Sequence, residues 1–282
     1  MNRPNFDEIR RFSADIRIET IKALTYAGFG HIGGSMSIAD VLSVLYGEAM
    51  NIRPEQPDWP DRDWLILSKG HCGPALYATL ALKGYFPMDW LKTINVIGTK
   101  LPSHCDMLKT PGIDMTTGSL GQGISAAVGI ALGNKIQKRK NYTYCIVGDG
   151  ELNEGQVWEA LEAAAHHELD HFIVFIDYNK KQLDGKLEQI CRPLDIPAKL
   201  SSFGCEVNTV KGYDAEEIYN AIAEAKKIKG KPSAIVLDTY KGIGCNFAEK
   251  AEFNHYMVMD WDMANGAIEE IERRLKENCF PG

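Results

Sequence analysis

Residues 142–179 read YTYCIVGDGELNEGQVWEALEAAAHHELDHFIVFIDYN, and their pattern decides the fold. Tyr142 to Val147 is apolar almost throughout, as is Phe172 to Asp177, and a helical stretch, 154–168, lies between them. A strand buried on both faces shows no polar alternation. Two such strands joined by one helix make a βαβ unit, with the strands parallel. The first strand ends on Gly148-Asp149-Gly150. An aspartate between two glycines adds little to packing. It makes physical sense where a ligand must approach the backbone closely beside a fixed carboxylate.

The alternation continues outward from this unit. Downstream the pattern predicts a helix near 193–202, a strand at 205–210, a helix at 214–228, a strand from Ala234 to Tyr240 and a charged amphipathic helix over 260–277. Upstream, Ile9, Phe12, Ile16, Thr20 and Leu24 recur at helical spacing and predict a helix over 6–27. A glycine-rich loop, a helix at about 37–50, breaks at Pro54, Pro57 and Pro60, a buried strand at Trp64–Leu67 and a helix from Ala75 to Leu82 follow. Residues 98–118 read as irregular, and a Gly/Ala-rich helix at about 120–137 leads into the quoted stretch. The expected fold class is α/β, a parallel sheet with helices on both faces. No repeat or linker divides residues 1–282, so one domain is expected.

Composition narrows the function. The 282 residues are 45% hydrophobic and 24% charged, which supplies a sizeable core without disulfides or metals. A net charge of −7 with no basic stripe argues against nucleic acid and anionic membrane as partners. No apolar run approaches the ~18 residues of a membrane span. The start, MNRPNFDEIRRF, lacks the apolar segment of a signal peptide. Seven scattered cysteines without a CxxC pair point to reduced thiols and a cytoplasmic protein. Cys72 and Cys105 each follow a histidine, but the wide spacing of the two His-Cys pairs argues against zinc.

The segment GFGHIGG contains Gly28-x-Gly30-x-x-Gly33, a formal dinucleotide fingerprint. That motif works only between a strand and a helix. Here a helical pattern precedes it and no β-run is visible, so the expectation is a glycine-rich turn presenting His31.

Asp149 and Asn179 close the two strands of the βαβ unit and therefore fall on one edge of the sheet, the edge where open α/β sheets bind ligands. Each offers a side-chain oxygen, and the loop NKKQLDG after the second strand can turn backbone carbonyls inward. An Asp, an Asn and a carbonyl suit a hard cation such as magnesium, which completes its octahedron with phosphate and water. Gly148 and Gly150 let N–H groups approach those phosphates, and the helix from about 154 adds its positive end. The physical reading is a diphosphate–Mg²⁺ site.

Gly148-Asp149-Gly150 with Asn179 also resembles the thiamine-diphosphate signature. Further motifs narrow the resemblance to the transketolase family: GHIGGSMSIADVLSVLY (30–46), LSKGHCGPALYATLALKGYF (67–86), LPSHCDMLKTPGIDMTTGSLGQG (101–123), GDGELNEGQVWEA and TYKGIG…FNH (239–255), in that order. The resemblance covers nearly the whole chain. It implies thiamine diphosphate with Mg²⁺, or Ca²⁺ or Mn²⁺ in its place, as cofactors. Asp149, Asn179 and the carbonyl of Lys181 would hold the metal. Gly150, His71 and Lys241 would contact the diphosphate, and Gly118, Ser119 and Leu120 the rings. His31, His71, His104 and His255 would surround the reacting carbon, and Glu154 resembles a buried carboxylate that couples paired active sites.

Independently, ketol transfer needs a proton taken from a donor hydroxyl and later given to an acceptor carbonyl oxygen, work suited to imidazoles near neutrality. His166, His167 and His171 match no motif and are assigned to structure. The family's later half carries a pyrimidine-binding domain, of which this chain shows no counterpart. The resemblance therefore implies an N-terminal transketolase subunit that works only with a C-terminal partner subunit, two copies of each, on sugar phosphates of carbohydrate metabolism such as the pentose phosphate pathway. The alternatives are a subunit of a 1-deoxyxylulose-phosphate synthase-like or 2-oxo-acid decarboxylating enzyme, or a non-catalytic cofactor-binding module. Ile32 and Cys105 stand where the family usually has proline after the histidine, which predicts looser loops at His31 and His104.

Overall fold

The computed structural model describes residues 4–277; Cys279, counted among the thiols above, lies outside them. The six described cysteines are all free. Five strands, β1 (Trp64–Leu67), β2 (Thr143–Gly148), β3 (Phe172–Tyr178), β4 (Glu206–Lys211) and β5 (Ser233–Asp238), form a sheet in the order β1-β2-β3-β5-β4. Every neighbouring pair is parallel. Eight helices matter for the argument: α1 (Phe6–Ala27), α2 (Ala39–Val44), α3 (Gly73–Leu82), α4 (Gln122–Ile136), α5 (Gly155–His166), α6 (Ile196–Ser202), α7 (Ala215–Ala225) and α8 (Trp261–Lys276).

Successive strand residues point to opposite faces, and the core divides accordingly. Tyr144, Ile146, Ile173, Phe175, Ile235 and Leu237 join one cluster with residues of α1, α2, α3, α7 and α8. Cys145, Val147, Val174, Ile176, Ala234 and Val236 join the other with α4, α5 and α6. The expected parallel sheet with two covered faces is the observed one. Among the described residues no helix is long and apolar enough to cross a membrane.

Local details depart from expectation where pairing at a distance decides. The helix expected at 37–50 is α2 followed by a wider π turn, Leu45–Ala49. The helix near 193–202 starts only at Ile196, where Asp195 caps it and Pro197 sits in its first turn. Phe29–Gly30, read as part of a turn, pairs antiparallel with Met257–Val258. That bridge is two residues long and follows α1, so it does not restore the dinucleotide motif. A buried ion pair, Arg17 Nη2 to Asp40 Oδ2 at 2.6 Å, joins α1 to α2. Arg17 Nε also donates to the Ile243 carbonyl at 3.0 Å and anchors the loop that carries Lys241.

Candidate active site

The carboxyl ends of β1, β2, β3 and β5 open into a cleft of about 360 Å³. His31, His71, His104, His255, Gly118, Leu120, Asp149, Gly150, Glu154, Asn179, Lys181 and Lys241 all line it. Of the residues singled out above, Ser119 stands apart: it is exposed, and its carbonyl accepts from Gln122 N as the chain enters α4.

The β2–β3 register sets the floor. Gly148 lies opposite Asp177, so Asp149 emerges beside the end of β3. Asp149 Oδ2 accepts from Lys180 N at 2.6 Å and Oδ1 from Gly150 N at 2.8 Å, which docks the loop after β3 onto the turn after β2. Gly150 permits this approach: a Cβ there would come within 2.8 Å of the Gln182 side chain. Asn179 Oδ1 accepts from Lys181 N at 3.2 Å, and its Nδ2 donates to Asp177 Oδ2 at 2.7 Å. The carbonyls of Lys181 and Gln182 turn inward, toward the Lys241 ammonium at 3.2 and 3.3 Å.

The histidines form the wall opposite. Ring centroids lie 4.7 Å apart for His71–His255, 5.1 Å for His31–His255, 5.5 Å for His31–His104 and 5.6 Å for His31–His71. Lys241 Nζ is 3.1 Å from His255 Nδ1, linking the wall to the floor. The residues that replace the expected prolines are packed. Ile32 and Cys105 are buried in the core, and Tyr77 Oη donates to the His104 carbonyl at 3.0 Å.

Burial dominates the electrostatics. It pulls His31 down to about 4, aided by the His104 and Lys241 charges, and His255 down to about 3, aided by Lys241 and His31. His71 and His104 also fall, by burial first. The four imidazoles are therefore neutral at pH 7. Lys241 drops to about 8, through burial and then the Lys69 charge. Asp149 rises to about 7, through burial and then the Asp177 charge. A buried carboxylate held this far up ionises readily only beside a cation. Together with the Asn179 and Lys181 oxygens it fits a hard divalent ion, and Lys241 with the Gly150 backbone fits a diphosphate.

Comparison with known proteins gives this geometry a family. Residues 9–260 match the family profile described as transketolase, thiamine diphosphate binding domain. The chain is 51% identical over 259 residues to the 6-deoxy-6-sulfo-D-fructose transketolase subunit of Clostridium sp. (strain MSTE9), covering 92% of this chain and 94% of that one. The chain belongs to the transketolase family. A protein of Actinobacillus succinogenes, named as one of the subunits of an apulose-4-phosphate transketolase, is 37% identical, over 95% of this chain and 97% of that protein. The transketolase of Campylobacter jejuni superposes with a TM-score of 0.87 at 30% identity, over 98% of this chain but 43% of that structure. This transketolase chain thus spans nearly the length of the relatives named as subunits, and it matches under half of that solved transketolase. The family, the α/β cofactor-binding fold and the transketolase activity expected from the motifs are borne out, and the domain type supports thiamine diphosphate.

Glu154, expected to resemble a buried carboxylate, is exposed on this transketolase chain, and as N-cap of α5 it makes no side-chain cap bond. A second acid nearby, Glu151, is buried within the chain itself and accepts from Ser68 Oγ at 2.6 Å, Gly121 N at 2.7 Å and Gly148 N at 3.0 Å. It ties the ends of β1 and β2 to the Gly118–Gly121 turn, and burial raises its pKa. Lys69 and Asp177, paired and buried beneath the cleft, were likewise missed. Burial is the largest influence and lowers the Lys69 pKa, but the Asp177 and Cys72 charges, the hydrogen bond to Asp177 and the Asp149 charge together raise it above the ordinary lysine value. The available signal was an acid ending the otherwise apolar FIVFID run, with a lysine beside Gly70-His71.

Proposed function

We propose that this chain is the diphosphate-binding subunit of a two-chain transketolase that moves a two-carbon ketol unit from a ketose to an aldose. The observation that carries the proposal is the neutral imidazole wall facing the Asp149–Asn179–Lys181 oxygens across one cleft. Asp149, Asn179 and the Lys181 carbonyl would hold Mg²⁺. Lys241, His71 and the Gly150 backbone would hold the diphosphate, and Gly118 and Leu120 the rings. Bound there, thiamine diphosphate supplies the carbon nucleophile and electron sink that ketol transfer requires.

The chain's own residues handle protons and position. Neutral His31 and His255 can each accept a proton from a donor hydroxyl and return it to an acceptor carbonyl oxygen. His104, fixed through its carbonyl by Tyr77, orients hydroxyls along the wall. A neutral wall offers no cation to the far, anionic end of a sugar. Lys69 is committed to Asp177. Recognition of that end therefore falls to the partner subunit, which would carry the pyrimidine-binding domain and assemble two-to-two with this one. Exposed Glu154 is available to that assembly.

A relative at 51% identity is named for 6-deoxy-6-sulfo-D-fructose, so that ketose stands beside ketose phosphates as the donor. The test mixes the purified chain with its partner subunit, Mg²⁺ and thiamine diphosphate. Each donor is supplied with an aldose phosphate acceptor. Turnover with either ketose and none from the chain alone is the expected result. Full activity from the chain alone removes the two-chain reading, and activity with pyruvate but neither ketose reverses the choice of reaction.

A further inference from the structure

Beneath the cleft floor, three donors converge on one oxygen. Asp177 Oδ2 accepts from Ser37 Oγ at 2.7 Å, from Asn179 Nδ2 at 2.7 Å and from the Lys69 ammonium. Lys69 Nζ also reaches the Gly34 carbonyl at 3.3 Å. Asp177 and Lys69 are 0% and 2% exposed along their side chains, so water does not share these bonds.

The arrangement has a directional consequence. A carboxamide can turn either its oxygen or its NH2 toward a ligand. Asp177 Oδ2 takes all three of its bonds from donors, and the Asn179 NH2 is the group turned inward to it. The Asn179 oxygen then faces the other way, where Lys181 N donates to it. The same aspartate also holds the other side of the floor, because its backbone carbonyl accepts from Asp149 N at 3.2 Å.

We infer that Asp177 and Lys69 are a positioning pair that aims the Asn179 carboxamide, so that its oxygen and not its NH2 meets the divalent cation. The inference rests on the cation site proposed above. Neither residue touches substrate; both act through Asn179.

The test is Mn²⁺ binding to the assembled two-subunit enzyme with thiamine diphosphate present, read from the electron paramagnetic resonance of free Mn²⁺, with thermal unfolding measured in parallel. Four proteins are compared: wild type, Asn179→Ala, Asp177→Asn, and Lys69→Met combined with Asp177→Asn. Asp177→Asn should weaken Mn²⁺ binding by roughly 10–100-fold, the usual effect of losing a ligand's supporting partner, and Asn179→Ala, which removes the ligand itself, at least as much. The double variant removes both buried charges together and avoids stranding one of them. It should regain thermal stability relative to Asp177→Asn while its Mn²⁺ binding stays weak, a separation that a purely structural role would not produce. Wild-type Mn²⁺ affinity in a folded Asp177→Asn or double variant, with Asn179→Ala impaired, overturns the positioning role alone. Wild-type affinity in Asn179→Ala, or no Mn²⁺ uptake by the wild type, overturns the cation site and the inference with it.

Discussion

Replacing Asp149 by asparagine will steady the metal-free chain above neutrality while removing its grip on a cation. The folded value of Asp149 is raised from 3.8 to about 7 by burial and by Asp177. Between those values the folded chain holds a proton that the unfolded chain has released. The stability this gives is full below pH 3.8 and is lost as pH rises through 7. From pH 5 to pH 8 about two pH units of ionisation, at ~1.4 kcal/mol each, are lost by the wild type, about 2–3 kcal/mol in all. Asparagine does not titrate, so that slope disappears. It does leave one of the two N–H groups that Asp149 satisfies, Lys180 N or Gly150 N, facing an NH2, which costs about 1–3 kcal/mol at every pH. The variant should therefore be less stable than wild type at pH 5 and match or exceed it at pH 8. Urea unfolding of both proteins in EDTA at the two pH values measures this. An identical stability difference at pH 5 and pH 8 would refute the reasoning. In the assembled enzyme with Mg²⁺, the same variant should bind thiamine diphosphate more weakly by a factor of about tens to thousands.

Three further outcomes can be checked. Glu151→Ala strands the Gly121 and Gly148 N–H groups, and urea unfolding should show a loss of about 2–4 kcal/mol; a loss below ~0.5 kcal/mol contradicts the tie it is given. Lys241→Met should weaken thiamine diphosphate binding at pH 7 by roughly tenfold or more in calorimetry, and wild-type affinity should itself decline as pH rises past about 8, where Lys241 loses its charge. The His31 and His255 ring resonances should show no titration between about pH 5.5 and 8, since their folded values lie at about 4 and 3. Because these values are lowered, the stability the two rings contribute is present above their ordinary 6.5 and lost as pH falls below it; an inflection near 6.5 in either ring breaks the neutral-wall argument.

Much of the site was legible because local rules and topology agree. Apolar runs over Thr143–Gly148 and Phe172–Tyr178 can only be doubly covered strands, and one intervening helix forces their ends onto one rim. Asp149 and Asn179 follow from that without any family knowledge. The histidines do not. His31, His71, His104 and His255 come from four separate segments, and only ordered motifs brought them together in advance. Glu151, Lys69 and Asp177 were missed for a different reason. A charged side chain in a sequence reads as solvated, and although an acid ending FIVFID is a signal, it does not say which partner waits across the fold. The Phe29–Gly30 strand was missed because two residues carry no periodicity; its pairing is dictated by Met257–Val258.

That small antiparallel bridge has a consequence for how the enzyme is made. It clips His31 to the segment that carries His255, far along the sequence from it. The chain must be synthesised through Met257 before His31 is clipped beside His255. β1, β2 and β3 can pair in turn during synthesis, β4 waits for β5 to be made, and the clip that seats His31 beside His255 comes later still.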